Sequence, residues 1–207
     1  MDNENKIILD LCGGTGSWSK PYKDNGYDVR LITLPENDVR TFQPPENVYG
    51  ILAAPPCTMF SFARTNAKTP RDTKGGMEIV LACLKIIWEC QHRTESDTQM
   101  KPPLKFWALE NPFCRLNWFI GEPVYIFHPF QFGDGYSKRT CLWGHFNKPN
   151  SMALYSKKYR KKFDMLLMDE LEDIRSISDL TFKSKNRQEL RSITPEGFAK
   201  AFYEANK

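Results

Sequence analysis

An α/β fold, built on a mostly parallel sheet with helices on both faces, follows from two patterns in the 207-residue chain. Short β-rich runs alternate with helical runs, as in chains that return to one sheet through crossover helices. Polar residues collect where the apolar runs stop, and in open α/β sheets those carboxyl ends are where loops and helix N-termini converge on ligands.

The first run, "KIILDL" (6–11), is an apolar strand entering a glycine-rich turn. "YDVRLITL" (27–34) is a second strand, closed by Pro35, and "VYGILAA" (48–54) is a third, closed by Pro55 and Pro56. All three read as buried. In "GGMEIVLACLKIIWECQHR" (75–93), Ile79, Val80, Cys83, Leu84, Ile87 and Trp88 share one helical stripe while Glu78, Lys85 and Glu89 turn elsewhere, which predicts a core-facing helix. "LKFWALENP" (104–112), "PVYIFHPFQF" (123–132) and "RTCLWGHF" (139–146) read as further strands. The periodicity then weakens, leaving one amphipathic piece, "FDMLLMDELEDI" (163–174). In the closing "ITPEGFAKAFYEAN", Thr194 is placed to cap a helix and Pro195 to occupy its first turn. The expected organisation is a main unit over 1–146, a short variable region over 147–190 and a terminal helix over 191–207 packing back on the main unit.

Composition narrows the class. With 41% apolar, 13% aromatic and 26% charged residues, the chain lies far from disordered or fibrous proteins. No apolar run reaches the roughly 18 residues of a membrane helix, and the acidic start "MDNENKIILDL" is unlike a secretory signal, so a cytoplasmic location is expected. The six cysteines form no CxxC pair, and His92, His128 and His145 have no ligand spacing, so neither a disulfide framework nor a metal site is predicted. The net charge of +4 is mild but unevenly spread: "SKKYRKK" (156–162) and "KSKNRQELR" (183–191) are basic, and "DMLLMDELED" between them is acidic. Such stretches fit a phosphate-tracking surface and a solvated face of alternating charge equally well.

Three strand ends carry chemistry. Asp10 closes the first strand, and Gly13, Gly14 and Gly16 let the backbone turn tightly and approach a ligand; without a following G-K-[ST] the turn is not that of a kinase or ATPase. At the end of the third strand Pro55 and Pro56 restrict the backbone and present Cys57 on a stiff pedestal. The following segment carries Arg64, Lys68, Arg71 and Lys74 against Asp72 alone, with Gly75-Gly76 as a hinge, which suits a lid over a polyanion. Glu110 ends the apolar "FWAL", where a carboxylate is either neutralised or working; desolvation favours its protonated form, as a proton donor at neutral pH requires.

Taken in order, "DLCGGTGSWS", "PPCTMFS", "ALENP" and "QFGDGYSKRTCLWG" resemble the cytosine-C5 DNA methyltransferase family over roughly residues 6–146. The resemblance implies a Rossmann-like, S-adenosylmethionine-dependent methyltransferase fold and methyl transfer to carbon 5 of cytosine in DNA. By that resemblance Cys57 is the nucleophile at ring carbon 6, Glu110 supplies the proton or hydrogen bond at ring nitrogen 3, and Arg139, matching the second arginine of the family's R-x-R element, holds the base carbonyl or the thiolate. Asp10, Gly14, Gly16 and Trp18 would surround the methionine part of the cofactor, Asp38 would reach the adenine, and Pro56 would line the same pocket. The target base would be flipped out of the duplex.

The sequence departs from the family at several points. The acidic residue expected after the second strand to grip the ribose is missing: Thr33 stands at the strand end and Glu36 comes only beyond Pro35; Ser137 replaces the first arginine of R-x-R, and Thr58 replaces a glutamine. Only residues 147–190 occupy the place of a target-recognition domain, which implies low specificity or recognition lent by a protein partner, a trimming akin to that of phage and mobile-element enzymes. Two further readings follow from these departures: a non-catalytic descendant that binds DNA or a protein, and a thiol-adduct enzyme acting on a free pyrimidine nucleotide.

Overall fold

The computed structural model describes residues 3–62, 67–92, 104–134, 138–151 and 193–207. The amphipathic and charged pieces expected between 156 and 191, and Arg64, Gly135 and Ser137, lie outside these residues. Strands β1 (Ile7–Leu11), β2 (Asp28–Ile32), β3 (Val48–Ala53), β4 (Phe106–Pro112), β5 (Tyr125–Phe127) and β6 (Thr140–His145) form a single six-stranded sheet in the order β2-β1-β3-β4-β6-β5. Strands β2, β1, β3 and β4 are mutually parallel, whereas β6 runs antiparallel to both β4 and β5. The fold is therefore α/β with a mixed, mostly parallel sheet.

This order positions the site. The chain leaves β1 toward β2 and then crosses to β3 on the other side of β1, so the connections diverge between β1 and β3 and open a crevice at their carboxyl ends. Because β6 is reversed, its first residue, Thr140, faces Pro112 at the end of β4 and Phe127 at the end of β5. The carboxyl ends of β1, β3, β4 and β5 and the amino end of β6 thus share one rim.

Alternation along the strands divides the core in two, since successive side chains point to opposite faces. On one face Ile8, Leu52, Phe106 and Leu142 pack with Trp18, with Tyr22 of helix α1 (Lys20–Asp24) and with Phe198 and Phe202 of the terminal helix; on the other, Leu9, Leu11, Ile51 and Leu109 pack with Val80, Cys83 and Ile87 of helix α2 (Thr73–Gln91). Helix α3 (Asn117–Ile120) is a single short turn after β4, and α4 (Glu196–Asn206) closes the chain.

Four local expectations change. Helix α2 buries Val80, Cys83, Ile86, Ile87 and Cys90, so its stripe is rotated from the predicted one and Trp88 is 63% exposed. The second half of "PVYIFHPFQF" leaves the sheet as a 3₁₀ turn, Pro129–Phe132, because proline offers no donor to a ladder. Thr194 does not cap α4; Asp134, after that turn, accepts a hydrogen bond from the Gly197 amide at 3.4 Å. Gly75 and Gly76 lie inside the first turn of α2, where the Asp72 side chain accepts from the Gly75 amide at 2.9 Å. No helix among the described residues is long and apolar enough to cross a membrane.

Candidate active site

The glycine turn after β1 rests on a buried acid. Asp10 is fully inaccessible; Ser19 Oγ donates to its Oδ2 at 2.5 Å, and its Oδ1 has no partner among the described residues. Burial pushes the carboxyl up to about 6, against the opposing pull of the Ser19 hydrogen bond. A Cβ on Gly13 would collide with this carboxylate, so the turn can settle onto Asp10 only through a glycine. Gly14 and Gly16 take φ of 55° and 71°, and the space above Gly14 is open.

Two of the residues expected around this turn are engaged elsewhere. Trp18 is 1% exposed and packs its ring on Phe198 and Phe202 at 5.9 and 5.4 Å, so it belongs to the core beneath the turn; the terminal helix claims it. Asp38 accepts hydrogen bonds from Arg40 Nε at 2.9 Å and from the Arg40 amide at 2.9 Å, and this guanidinium holds the carboxyl down to about 2.

The pedestal is built as the sequence suggests, with a brace it did not reveal. Pro55 is buried, and its carbonyl accepts from Asn111 Nδ2 at 2.9 Å, tying the end of β3 to the end of β4; Pro56 is exposed on the rim. Asn111 is fully buried and its Oδ1 accepts from the Cys114 thiol at 3.4 Å. The Cys57 carbonyl accepts from the amides of Phe60 and Ser61 at 3.0 and 2.9 Å, which closes a tight turn. Arg71 donates to the carbonyls of Met59 and Ser61 at 3.0 and 2.9 Å, so this cation of the expected lid supports the cysteine turn from below. A Cβ on Gly76 would stand 3.0 Å from Met59 Cβ; this glycine lets α2 approach the turn and is no hinge.

Cys57 and Glu110 end neighbouring strands: the Pro55 carbonyl, two residues before Cys57, is bonded to Asn111, the residue after Glu110. The thiol, half-buried, is pushed up by burial, then by the negative charge of Glu110, and is drawn back by the positive charge of Lys138. Lys138 Nζ stands 3.5 Å from Glu110 Oε1, both groups being mostly buried. Among the described residues the cation acting on the thiol is Lys138, one residue before the arginine expected from the resemblance. Arg139 is exposed and its guanidinium lies 3.7 Å from the centre of the Phe113 ring, while its carbonyl accepts from the Phe113 amide at 2.8 Å. The cause is register: from Thr140, which opens β6, alternate residues face opposite ways, so Lys138 and Arg139 diverge.

A thiol, a carboxyl and an ammonium thus share the rim next to a glycine crevice whose buried acid retains an unused acceptor. Such a set can add sulfur to an electron-poor carbon while a proton is offered to a neighbouring heteroatom. Compared with known proteins, the chain matches no family model, and no curated protein matches it in sequence.

Proposed function

We propose that the protein is a compact S-adenosylmethionine-dependent methyltransferase acting on carbon 5 of cytosine in DNA through a covalent adduct with Cys57. The observation that carries this reading is the bond from Asn111 to the Pro55 carbonyl, which sets Cys57 beside Glu110 and its Lys138 partner at the rim that also holds the glycine turn. The family resemblance supplies the chemistry, and the parallel β2-β1-β3-β4 half, with its crevice between β1 and β3, is compatible with a Rossmann-like methyltransferase.

The residues fit the roles in order. Cys57 passes its proton to solvent as its sulfur bonds to carbon 6 of the ring, moving the double-bond electrons onto carbon 5. Glu110 relays a proton from solvent to ring nitrogen 3 and so withdraws charge from the ring as the sulfur adds. The cofactor, when bound, supplies an electrophilic methyl group to carbon 5. Water then takes the carbon 5 proton, the ring double bond re-forms as the Cys57 sulfur leaves as thiolate, and nitrogen 3 returns its proton to Glu110. Asp10 and the open backbone at Gly14 would hold the cofactor, since the free Oδ1 beneath the turn is an acceptor awaiting a donor.

Radiolabelled methyl transfer from S-adenosylmethionine into single- and double-stranded DNA, followed by nucleoside analysis, tests the reading. The expected product is 5-methylcytosine, absent with Cys57→Ala and reduced about 10²- to 10⁴-fold with Glu110→Gln. An active Cys57→Ala variant, or no transfer to either DNA form, contradicts it. A second reading, a DNA-binding module without turnover, is favoured by the capture of Asp38 by Arg40 and by the raised thiol. Calorimetry separates the two, because only the enzyme has a use for S-adenosylmethionine.

A further inference from the structure

Three exposed aromatic side chains stand together beside the cysteine turn. Phe62, Trp118 and Phe119 are 49%, 70% and 50% exposed, and the Phe62 and Trp118 rings lie 6.3 Å apart at 60°. The cluster is anchored to the candidate site: Phe60, buried within the cysteine turn, packs on Phe119 at 6.1 Å, and its carbonyl accepts from the Arg115 amide at 3.3 Å. Helix α3 keeps Leu116 inside at its start and turns its largest rings, Trp118 and Phe119, to solvent. A contiguous apolar patch of this kind marks an interaction surface.

Charge selects the occupant. The Arg115 guanidinium sits 5.5 Å from the Trp118 ring, and the Arg139 guanidinium lies 3.7 Å from the centre of the Phe113 ring. Glu122 is the nearest acid in sequence to the rings. Aromatic faces interleaved with arginines match an unpaired nucleic-acid strand, in which each base has a π face to stack and each phosphate a charge to neutralise. A lipid surface would call for a broader apolar face, and an apolar protein partner would leave the arginines without a role.

We propose that Phe62 and Trp118 form a stacking platform for an unpaired base adjacent to the target cytosine, with Arg115 and Arg139 on the flanking phosphates. The inference rests on the reading that Cys57 acts on a nucleobase, and it narrows the substrate to a single-stranded or locally opened DNA segment.

The test is fluorescence anisotropy of the full chain with a labelled single-stranded cytosine-containing oligonucleotide, alongside adduct formation on the same oligonucleotide carrying 5-fluorocytosine. Phe62→Ala and Trp118→Ala should each weaken binding by roughly 5- to 100-fold, and Trp118→Phe should recover most of the loss. Both positions are at the surface, so the variants should keep the native circular dichroism spectrum. The salt dependence should persist in the aromatic variants and fall when Arg115 is replaced by Gln. A Phe62→Ala/Trp118→Ala double variant that binds and forms adduct like the unaltered protein overturns the platform while leaving the Cys57 reading intact. Binding lost in the double variant, with no adduct in the unaltered protein, supports the platform and removes the Cys57 reading. No binding of the single strand by the unaltered protein overturns the platform outright.

Discussion

Asn111→Asp is the sharpest perturbation of the pedestal, because it keeps the shape of the side chain and its acceptor toward Cys114 while reversing the polarity that faces the Pro55 carbonyl. In the native protein the amide donates to that carbonyl at 2.9 Å from a fully buried position. Losing the donor leaves the buried carbonyl unpaired, a cost of about 1–3 kcal/mol. An ionised carboxylate at this site adds a desolvation penalty, so the total at pH 8 should reach at least about 3 kcal/mol, a large part of the ~5–15 kcal/mol that holds a domain together. In acid the introduced carboxyl takes up a proton and can donate to the Pro55 carbonyl, so the deficit should shrink as the pH falls toward 5. Urea unfolding followed by circular dichroism at both pH values measures it. Methyl transfer at a temperature where the variant is folded should fall about 100-fold, the cost of misplacing a reacting group by an ångström. A variant within about 0.5 kcal/mol of the unaltered protein at pH 8, the scatter of an ordinary surface substitution, refutes the role given to Asn111.

Three further outcomes follow from the same contacts. The Asp10 carboxyl is raised from 3.8 to about 6, so the folded state holds a proton that the unfolded chain has released; its contribution is complete below about 3.8 and disappears as the pH rises through 6. Asp10→Asn, without that titration, should gain up to about 3 kcal/mol over the unaltered protein between pH 4 and pH 7 in thermal unfolding, while losing affinity for S-adenosylmethionine. Lys138→Met should slow alkylation of Cys57 at pH 8 and Glu110→Gln should speed it, as followed by peptide mass spectrometry, because the first removes the charge that lowers the thiol and the second the charge that raises it. Gly13→Ala drives a methyl group into the Asp10 carboxylate and should cost about 1–3 kcal/mol in urea unfolding, the usual price of overpacking.

Much of the architecture was legible because burial writes itself into the chain locally. The runs 6–11, 27–34 and 48–54 contain β1, β2 and β3, each ended by a glycine or proline that stops the ladder. The helices α1 and α3, of five and four residues, are too short to show a period, and the former begins around Pro21. The rotated face of α2 reflects a stripe chosen by hydrophobicity alone: Trp88 is apolar yet meets His92 at a tilt on the surface, while the smaller Cys90 is buried. At the site, Cys57 and Glu110 were readable as polar residues stranded at the ends of apolar runs. Lys138 and Asn111 were not, because the contacts that give them meaning span 28 and 56 residues and exist only once β6 pairs with β4 and β4 with β3. The packing of Trp18 was hidden for a similar reason: it is covered by a helix from the far end of the chain. The Asp38–Arg40 pair, by contrast, spans two residues and was open to a reading of local charge.

The most direct measurement is the intact mass of the protein after incubation with S-adenosylmethionine and an oligonucleotide containing 5-fluorocytosine, followed by peptide mapping. The account predicts a protein–oligonucleotide species that carries one added methyl group, resists denaturation and maps to Cys57. Recovery of unmodified protein, or an adduct on any other cysteine, contradicts it.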